Sequence, residues 1–158
     1  MSIKPARALN TIIIRPDGTI NPPTAPIQQN GTLYTLTGNI TNATDGIIIE
    51  RNNMTLDGAG YTLEGQTTHG SYGITLAGTT NVTIKNCQIR TFDNGIFLAV
   101  GSARNSLVGN DITNNHGHGI YLTNSVGNVI VGNNVTYNNG SAVYVTTWSN
   151  QNNISSNR

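Results

Sequence analysis

Apolar and polar residues alternate along this chain in short runs that recur at a fixed interval. Val82, Ile84 and Ile89 lead to Ile96 and Leu98; then come Val108, Ile112, Ile120 and Leu122, and then Val129, Val131, Val135, Val143 and Val145. Polar or small residues separate these positions, and Gly or Asn bounds each run. Period-two alternation over such short stretches predicts strands with one face buried. Each run spans three to five residues, so no single hairpin buries enough apolar surface. Stacking each unit on an equivalent neighbour would build one continuous aliphatic core.

Two phrases set the interval. "NVTIKN", "NSLVGN", "NVIVGN" and "NNISSN" begin at Asn81, Asn105, Asn128 and Asn152, at steps of 24, 23 and 24. "GIFL", "GIYL" and "AVYV" begin at Gly95, Gly119 and Ala142, at steps of 24 and 23. Looser copies lie upstream: "NMTLDG" at Asn53, "GITL" at Gly73 and "GIII" at Gly46. A unit of about 23 residues holds three short strands and three turns, with equivalent residues stacked about 4.8 Å apart on neighbouring rungs. Leucine-rich repeats have a similar length but a different consensus, and a propeller blade needs about 40 residues or more. The expectation is all-β: a right-handed parallel β-helix, or β-solenoid, with three short strands per rung. Residues 1–10 read as a leader remnant or N-terminal extension, from the small-x-small signature Ala6-Arg7-Ala8. Residues 11–52 read as an N-terminal strand and irregular first rungs, and 53–158 as regular repeats with the last rung incomplete.

The repeat assigns residues to columns. Aligning the Asn-led phrase stacks Asn86, Asn110, Asn133 and Asn157 as a structural ladder at one turn. Asn tolerates the left-handed conformation, and stacked amides hydrogen-bond along a column. Asn114 and Asn138 read as surface turn residues. With Ile96 and Leu98 inward, Phe97 faces outward, and Tyr121 and Tyr144 follow it after Ile48 and Thr75. Such a stripe suits a sugar or a neighbouring chain, with ordinary cross-strand packing as the bland alternative. The same alignment turns Leu107, Ile130 and Ile154 outward after Thr55 and Thr83, as an apolar assembly surface.

Charge narrows the partners. Eight Lys and Arg oppose seven Asp and Glu, without a basic patch interleaved with aromatics, so nucleic acid is not an expected partner. No apolar run approaches the roughly 18–20 residues of a membrane span. The single cysteine, Cys87, precludes an intramolecular disulfide and reads as a small buried hydrophobe. The carboxylates are Asp17, Asp45, Glu50, Asp57, Glu64, Asp93 and Asp111. The alignment brings no two of them into one column on adjacent rungs, so no catalytic residue is assigned. Asp57 falls beside Lys85 as a cross-rung ion pair. His116 and His118 in "NNHGHG", and His69, lack neighbouring Cys or carboxylate ligands and read as solvated. No metal or cofactor is expected. Sequons at Asn30, Asn39, Asn42, Asn53, Asn81, Asn134, Asn139 and Asn153 are candidate N-glycosylation sites.

The phrase N-x-[TI]-[IV]-x-N … G-I-[YF]-L resembles the parallel β-helix repeat of the pectin-lyase-like superfamily. More narrowly, it resembles NosD-like β-helix proteins of archaeal surfaces. The segments "IIIRPDGTINPPTAPI", "YTLTGNI" and "IIIERNNMTLDGAGYTLEG" resemble their N-terminal part, so the likeness covers residues 11–158. It implies the fold and not an activity, since this fold hosts lyases, hydrolases, epimerases, adhesins and spikes. The NosD name implies an association with copper. Enzymatic members use clustered acids, with an Arg or Lys base in the lyases. The expected function is a non-enzymatic extracellular or cell-surface β-solenoid with a structural, adhesive or filament-forming role, engaging a polysaccharide or glycan. The alternative is a carbohydrate-active enzyme, a lyase or hydrolase. Five to six rungs make a rod of about 25–30 Å, short for the groove of a polymer-cleaving relative. "NNISSNR" opens a rung that is not completed, and neither end reads as a cap. Self-association, head-to-tail or lateral near residues 150–158, is therefore expected, unless the chain is a fragment of a longer solenoid.

Overall fold

A computed structural model describes residues 10–66 and 69–158. The leader remnant expected at the N-terminus lies outside the described residues, apart from Asn10. The chain winds as a parallel β-solenoid of about five turns, with about 23 residues per turn and no helix among the described residues. Three sheets run along it. The first stacks Ile12–Ile14, Ile47–Ile49, Tyr72–Ala77, Asn94–Ala99, Ile120–Leu122 and Val143–Val145 in parallel, with Ile20–Asn21 antiparallel at its edge. The second stacks Leu33–Leu36, Met54–Asp57, Val82–Lys85, Ser106–Val108, Val129–Val131 and Asn153–Ser155, with Ile27–Asn30 closing a hairpin on it. The third stacks Ile40–Asn42, Thr62–Gly65, Gln88–Arg90, Asp111–Thr113 and Asn134–Thr136.

Each rung contributes its inward aliphatics to one core. Ile84, Ile96, Leu98, Ile112, Ile120 and Leu122 are fully buried in it. The phrase G-I-x-L starts with glycine for a steric reason. A Cβ on Gly95 would sit 2.4 Å from Ile112 Cγ2 and 2.5 Å from the Gly119 carbonyl oxygen on the next rung. Neighbouring rungs leave no space there for a side chain.

From Asn81 onward the corners follow one rule: a residue with positive φ is followed by a residue that points inward. At the corner after the second sheet the pairs are Asn86–Cys87, Gly109–Asn110, Gly132–Asn133 and Ser156–Asn157. After the third sheet they are Thr91–Phe92, Asn114–Asn115 and Tyr137–Asn138. Ahead of the second sheet they are Asn81–Val82, Arg104–Asn105, Gly127–Asn128 and Gln151–Asn152. Left-handed geometry costs an L-residue roughly 1–2 kcal/mol, so something must hold Arg104 and Tyr137 there. The inward asparagines do.

This geometry corrects the expected register. Thr83 pairs with Ser106, Ile84 with Leu107 and Lys85 with Val108. The first step is therefore 106 − 83 = 23 residues, where the phrase alignment gave 24. Leu107 and Ile130 consequently point into the core at 0% exposure, not outward as an assembly surface. Ile154 pairs with Ile130 in the same inward column, and is 40% exposed on the last rung. The residues that face out are Val108 and Val129, expected inward, with Val131 half-buried beside them.

The asparagine ladder shifts by the same residue. Asn86 occupies the left-handed slot at the surface, where its amide donates to Asp57 Oδ1 at 3.1 Å. Cys87 heads the ladder instead: its N–H donates to Asn110 Oδ1 at 3.1 Å. Below it, Asn110 donates its N–H and Nδ2 to Asn133 Oδ1 at 3.0 and 2.9 Å, and Asn133 does the same to Asn157 Oδ1. Each amide also donates to a strand carbonyl that the corner would orphan: Ile84, Leu107 and Ile130. Two more ladders use the same chemistry, Asn105–Asn128–Asn152 and Asn115–Asn138. Asn138 is thus a ladder residue rather than a surface turn, and only Asn114 keeps the turn role.

Candidate functional site

The first sheet carries a column of aromatic rings on its outward face. Phe97 pairs with Thr75 and Tyr121, and Tyr121 pairs with Tyr144, all on the outward phase. Their rings form a pile. Phe97 and Tyr121 have centroids 5.0 Å apart, and Tyr121 and Tyr144 are 5.4 Å apart. Two rings that the sequence did not single out extend it. Tyr72 stacks on Phe97 at 4.5 Å and 15°, and His118 stacks on Tyr144 at 4.2 Å and 16°. Stacked rings cover one another's faces, so the pile presents ring edges and hydroxyls to solvent, with Tyr144 41% exposed.

Local sequence explains both additions. Tyr72 lies across from Asn94 in the register, and its ring leans along the axis to reach Phe97. His118 owes its place to one extra residue: Asn115 to Ile120 spans 120 − 115 = 5 steps, where Phe92 to Ile96 spans 96 − 92 = 4. The His118 N–H donates to Asn94 Oδ1 at 2.8 Å, and its Nδ1 accepts the Ser141 N–H at 3.0 Å. The neutral ring therefore carries its proton on Nε2. His118 is packed into the pile rather than solvated, whereas His116 remains exposed, with Nδ1 3.3 Å from the Phe92 carbonyl oxygen.

A groove of about 170 Å³ opens beside the N-terminal end of the pile, lined by Thr44, Asp45, His69, Gly70 and Ser71. Asp45 Oδ1 accepts the Tyr72 N–H at 2.8 Å, and Asp93 Oδ2 accepts the Gly70 N–H at 3.1 Å. Two carboxylates from different rungs therefore flank Tyr72, which column alignment alone did not bring together. Their charge is felt at the ring: burial first, then Asp45 and Asp93, hold the Tyr72 phenol above its ordinary range.

Five further titratable side chains, Asp57, Lys85, Glu64, Arg90 and Cys87, serve the fold. Asp57 meets Lys85 at 3.1 Å, the expected cross-rung pair, and Arg90 meets Glu64 at 3.3 Å. Partial burial pushes the Asp57 carboxyl up, but the Ala59 N–H, the Asn86 amide and Lys85 outweigh it and hold it below the usual range. Cys87 is fully buried, and burial pushes its thiol up to about 12. A thiol so rarely ionised is a poor nucleophile. The native chain should resist alkylation at pH 8, and unfolding in denaturant should restore one equivalent of label. Rapid labelling without denaturant would place Cys87 at the surface.

The sequons divide by burial. Asn42 is at 0% exposure, and its Nδ2, the atom a glycan would need, donates to the carbonyls of Asp45 and Gly46 at 2.9 Å. Asn42 is therefore removed from the candidates. Asn134 Nδ2 is engaged by Asp111 Oδ1 at 2.6 Å, and Asn81 Nδ2 by Asn53 Oδ1 at 2.9 Å. Asn30, Asn39, Asn139 and Asn153, like Asn53 and Asn81, are exposed. Among the described residues, no helix is long and apolar enough to cross a membrane.

The family model described as "Periplasmic copper-binding protein (NosD)" matches residues 9–158. No curated protein and no solved structure matches the chain. The donor set does not fit a copper centre. Among the described residues, no three His, Cys, Asp or Glu side chains gather as a metal-holding group. The one thiol is sealed in the core, and His118 Nδ1 already accepts a backbone N–H. Copper sites draw on thiolate, thioether or imidazole donors converging from several positions.

Proposed function

We propose, because this chain belongs to the NosD family, that it works outside the cytoplasm as a non-enzymatic β-solenoid with a structural and adhesive role. On this reading the rungs are a rigid support, and the first sheet's outward face contacts a saccharide. The observation that carries it is the pile of Tyr72, Phe97, Tyr121 and Tyr144, one ring per rung from Phe97 onward. Its phenol hydroxyls offer donors and acceptors in a row to the hydroxyls of a sugar chain, while ring edges meet the sugar's C–H faces. A periplasmic family supports an exported location at that coarse level; display at the cell surface is part of the proposal.

Replacing both Tyr121 and Tyr144 with Ser tests it. Neither side chain is part of the core cluster, so the strand signature in circular dichroism should persist. Binding to a glycan array should fall about tenfold or more if each lost contact is worth about 1 kcal/mol. Unchanged binding would return the pile to ordinary cross-strand packing. The competing reading, a carbohydrate-active enzyme, rests on Asp45 in the groove and on Asp93, which accepts the N–H of the groove residue Gly70. Polyuronate incubated with the chain, with and without calcium, should yield no ultraviolet-absorbing unsaturated product. Its accumulation would replace the non-enzymatic reading.

A further inference from the structure

We infer that the groove and the aromatic pile beside it select a saccharide bearing free amino groups, such as a glucosamine oligomer, and disfavour uronic acids. This rests on the saccharide contact proposed above and narrows it to a charge class. Three observations carry it.

The groove lining of Thr44, Asp45, His69, Gly70 and Ser71 contains a carboxylate and no Lys or Arg. The pile of Tyr72, Phe97, Tyr121, Tyr144 and His118 contains no Lys or Arg either. A uronate brought there would meet Asp45 in the groove and Asp93 beside it at Gly70, and no Lys or Arg among the described residues of the lining and the pile. An ammonium would gain both attractions.

The carboxylates are also positioned for it. A backbone N–H holds one oxygen of each, Oδ1 of Asp45 and Oδ2 of Asp93. The second oxygens meet no protein donor among the described residues and remain able to accept from an ammonium. Charge-assisted bonds of that kind are roughly twice as strong as neutral ones. Anchoring to the backbone fixes the direction in which the free oxygens present themselves, so little order is lost on binding.

Finally, Tyr72 joins the two features. Its N–H is held by Asp45, its ring opens the pile on Phe97, and both carboxylates act on its phenol. A sugar chain lying along the axis would put an amino group at the groove while later units follow the Tyr121 and Tyr144 hydroxyls.

Calorimetric titration of the full chain at low and moderate salt tests the inference. The probes are a short glucosamine oligomer, its N-acetylated neutral counterpart and a galacturonate oligomer. The amino form should bind at least about tenfold tighter than the acetylated form and tighter still than the uronate, with the margin shrinking as salt screens it. The Asp45→Asn and Asp93→Asn double variant keeps an oxygen for each backbone N–H, so it should fold. In it the margin should fall to about threefold or less while neutral-sugar binding persists. Equal binding of the amino and acetylated forms would overturn the charge selection and leave the saccharide contact standing. Tighter uronate binding would do the same. Binding of none of the three would sink both.

Discussion

Asn133→Ala should destabilise the chain by about 3–6 kcal/mol, more than any surface substitution. Its Oδ1 accepts two donors from Asn110, and its Nδ2 donates to the Leu107 carbonyl at 2.9 Å. Alanine removes these three bonds, and with them those from Nδ2 to Asn157 Oδ1 and the Val131 carbonyl, at a site water hardly reaches, since Asn133 and Asn110 are each 1% exposed. Each buried group left unpaired costs about 1–3 kcal/mol. Native domains hold only about 5–15 kcal/mol in total, so the urea midpoint should drop steeply or the chain should fail to fold. Asn86→Gly is the matched control. Gly109 and Gly132 fill the equivalent left-handed slot on the next rungs, so glycine fits, and the loss is limited to a surface amide bond. A change within about 1 kcal/mol is expected there. Equal effects at the two sites would restore Asn86 to the ladder.

That pair of substitutions marks where the sequence was readable and where it was not. The period and the alternation of Ile96, Leu98, Ile120 and Leu122 carried the fold, because a buried strand face leaves a period-two record. The G-I-x-L phrase also aligned correctly, since Gly95 and Gly119 face a backbone oxygen that excludes any side chain. The Asn-led phrase slipped by one residue. Asn suits two adjacent corner slots for different reasons: its tolerance of positive φ at Asn81 and Asn86, and its amide at Asn105 and Asn110. The letter alone does not tell the slots apart. Alternation could not arbitrate, because Leu107 and Val108 are both apolar, as are Val129, Ile130 and Val131.

The candidate site was legible to the same degree. Phe97, Tyr121 and Tyr144 rode on the correctly aligned phrase. Tyr72 joins them through the lean of its side chain and His118 through a one-residue insertion, neither of which a column alignment records. Asp45 and Asp93 approach Tyr72 from turns, where spacing varies between rungs. The one available signal was the difference in length between the Phe92–Ile96 and Asn115–Ile120 corners.

The slipped register has a direct energetic consequence at Leu107 and Val108. Leu107→Ala should cost about 2–5 kcal/mol, the usual range for emptying a packed aliphatic site. Leu107 is fully buried between Ile84 and Ile130 in one column. Rungs held by hydrogen bonds above and below cannot close in on the space. Val108→Ala removes a side chain from a residue that is 37% exposed and should cost under about 1 kcal/mol. Ile130→Ala and Val129→Ala repeat the contrast one rung on, with Ile130 at 0% and Val129 at 37% exposure. Denaturant midpoints for the four variants decide it. Large losses at Leu107 and Ile130 with small ones at the valines fix the 23-residue step. The reverse ordering would turn Leu107 and Ile130 outward again and reopen that face as an assembly surface.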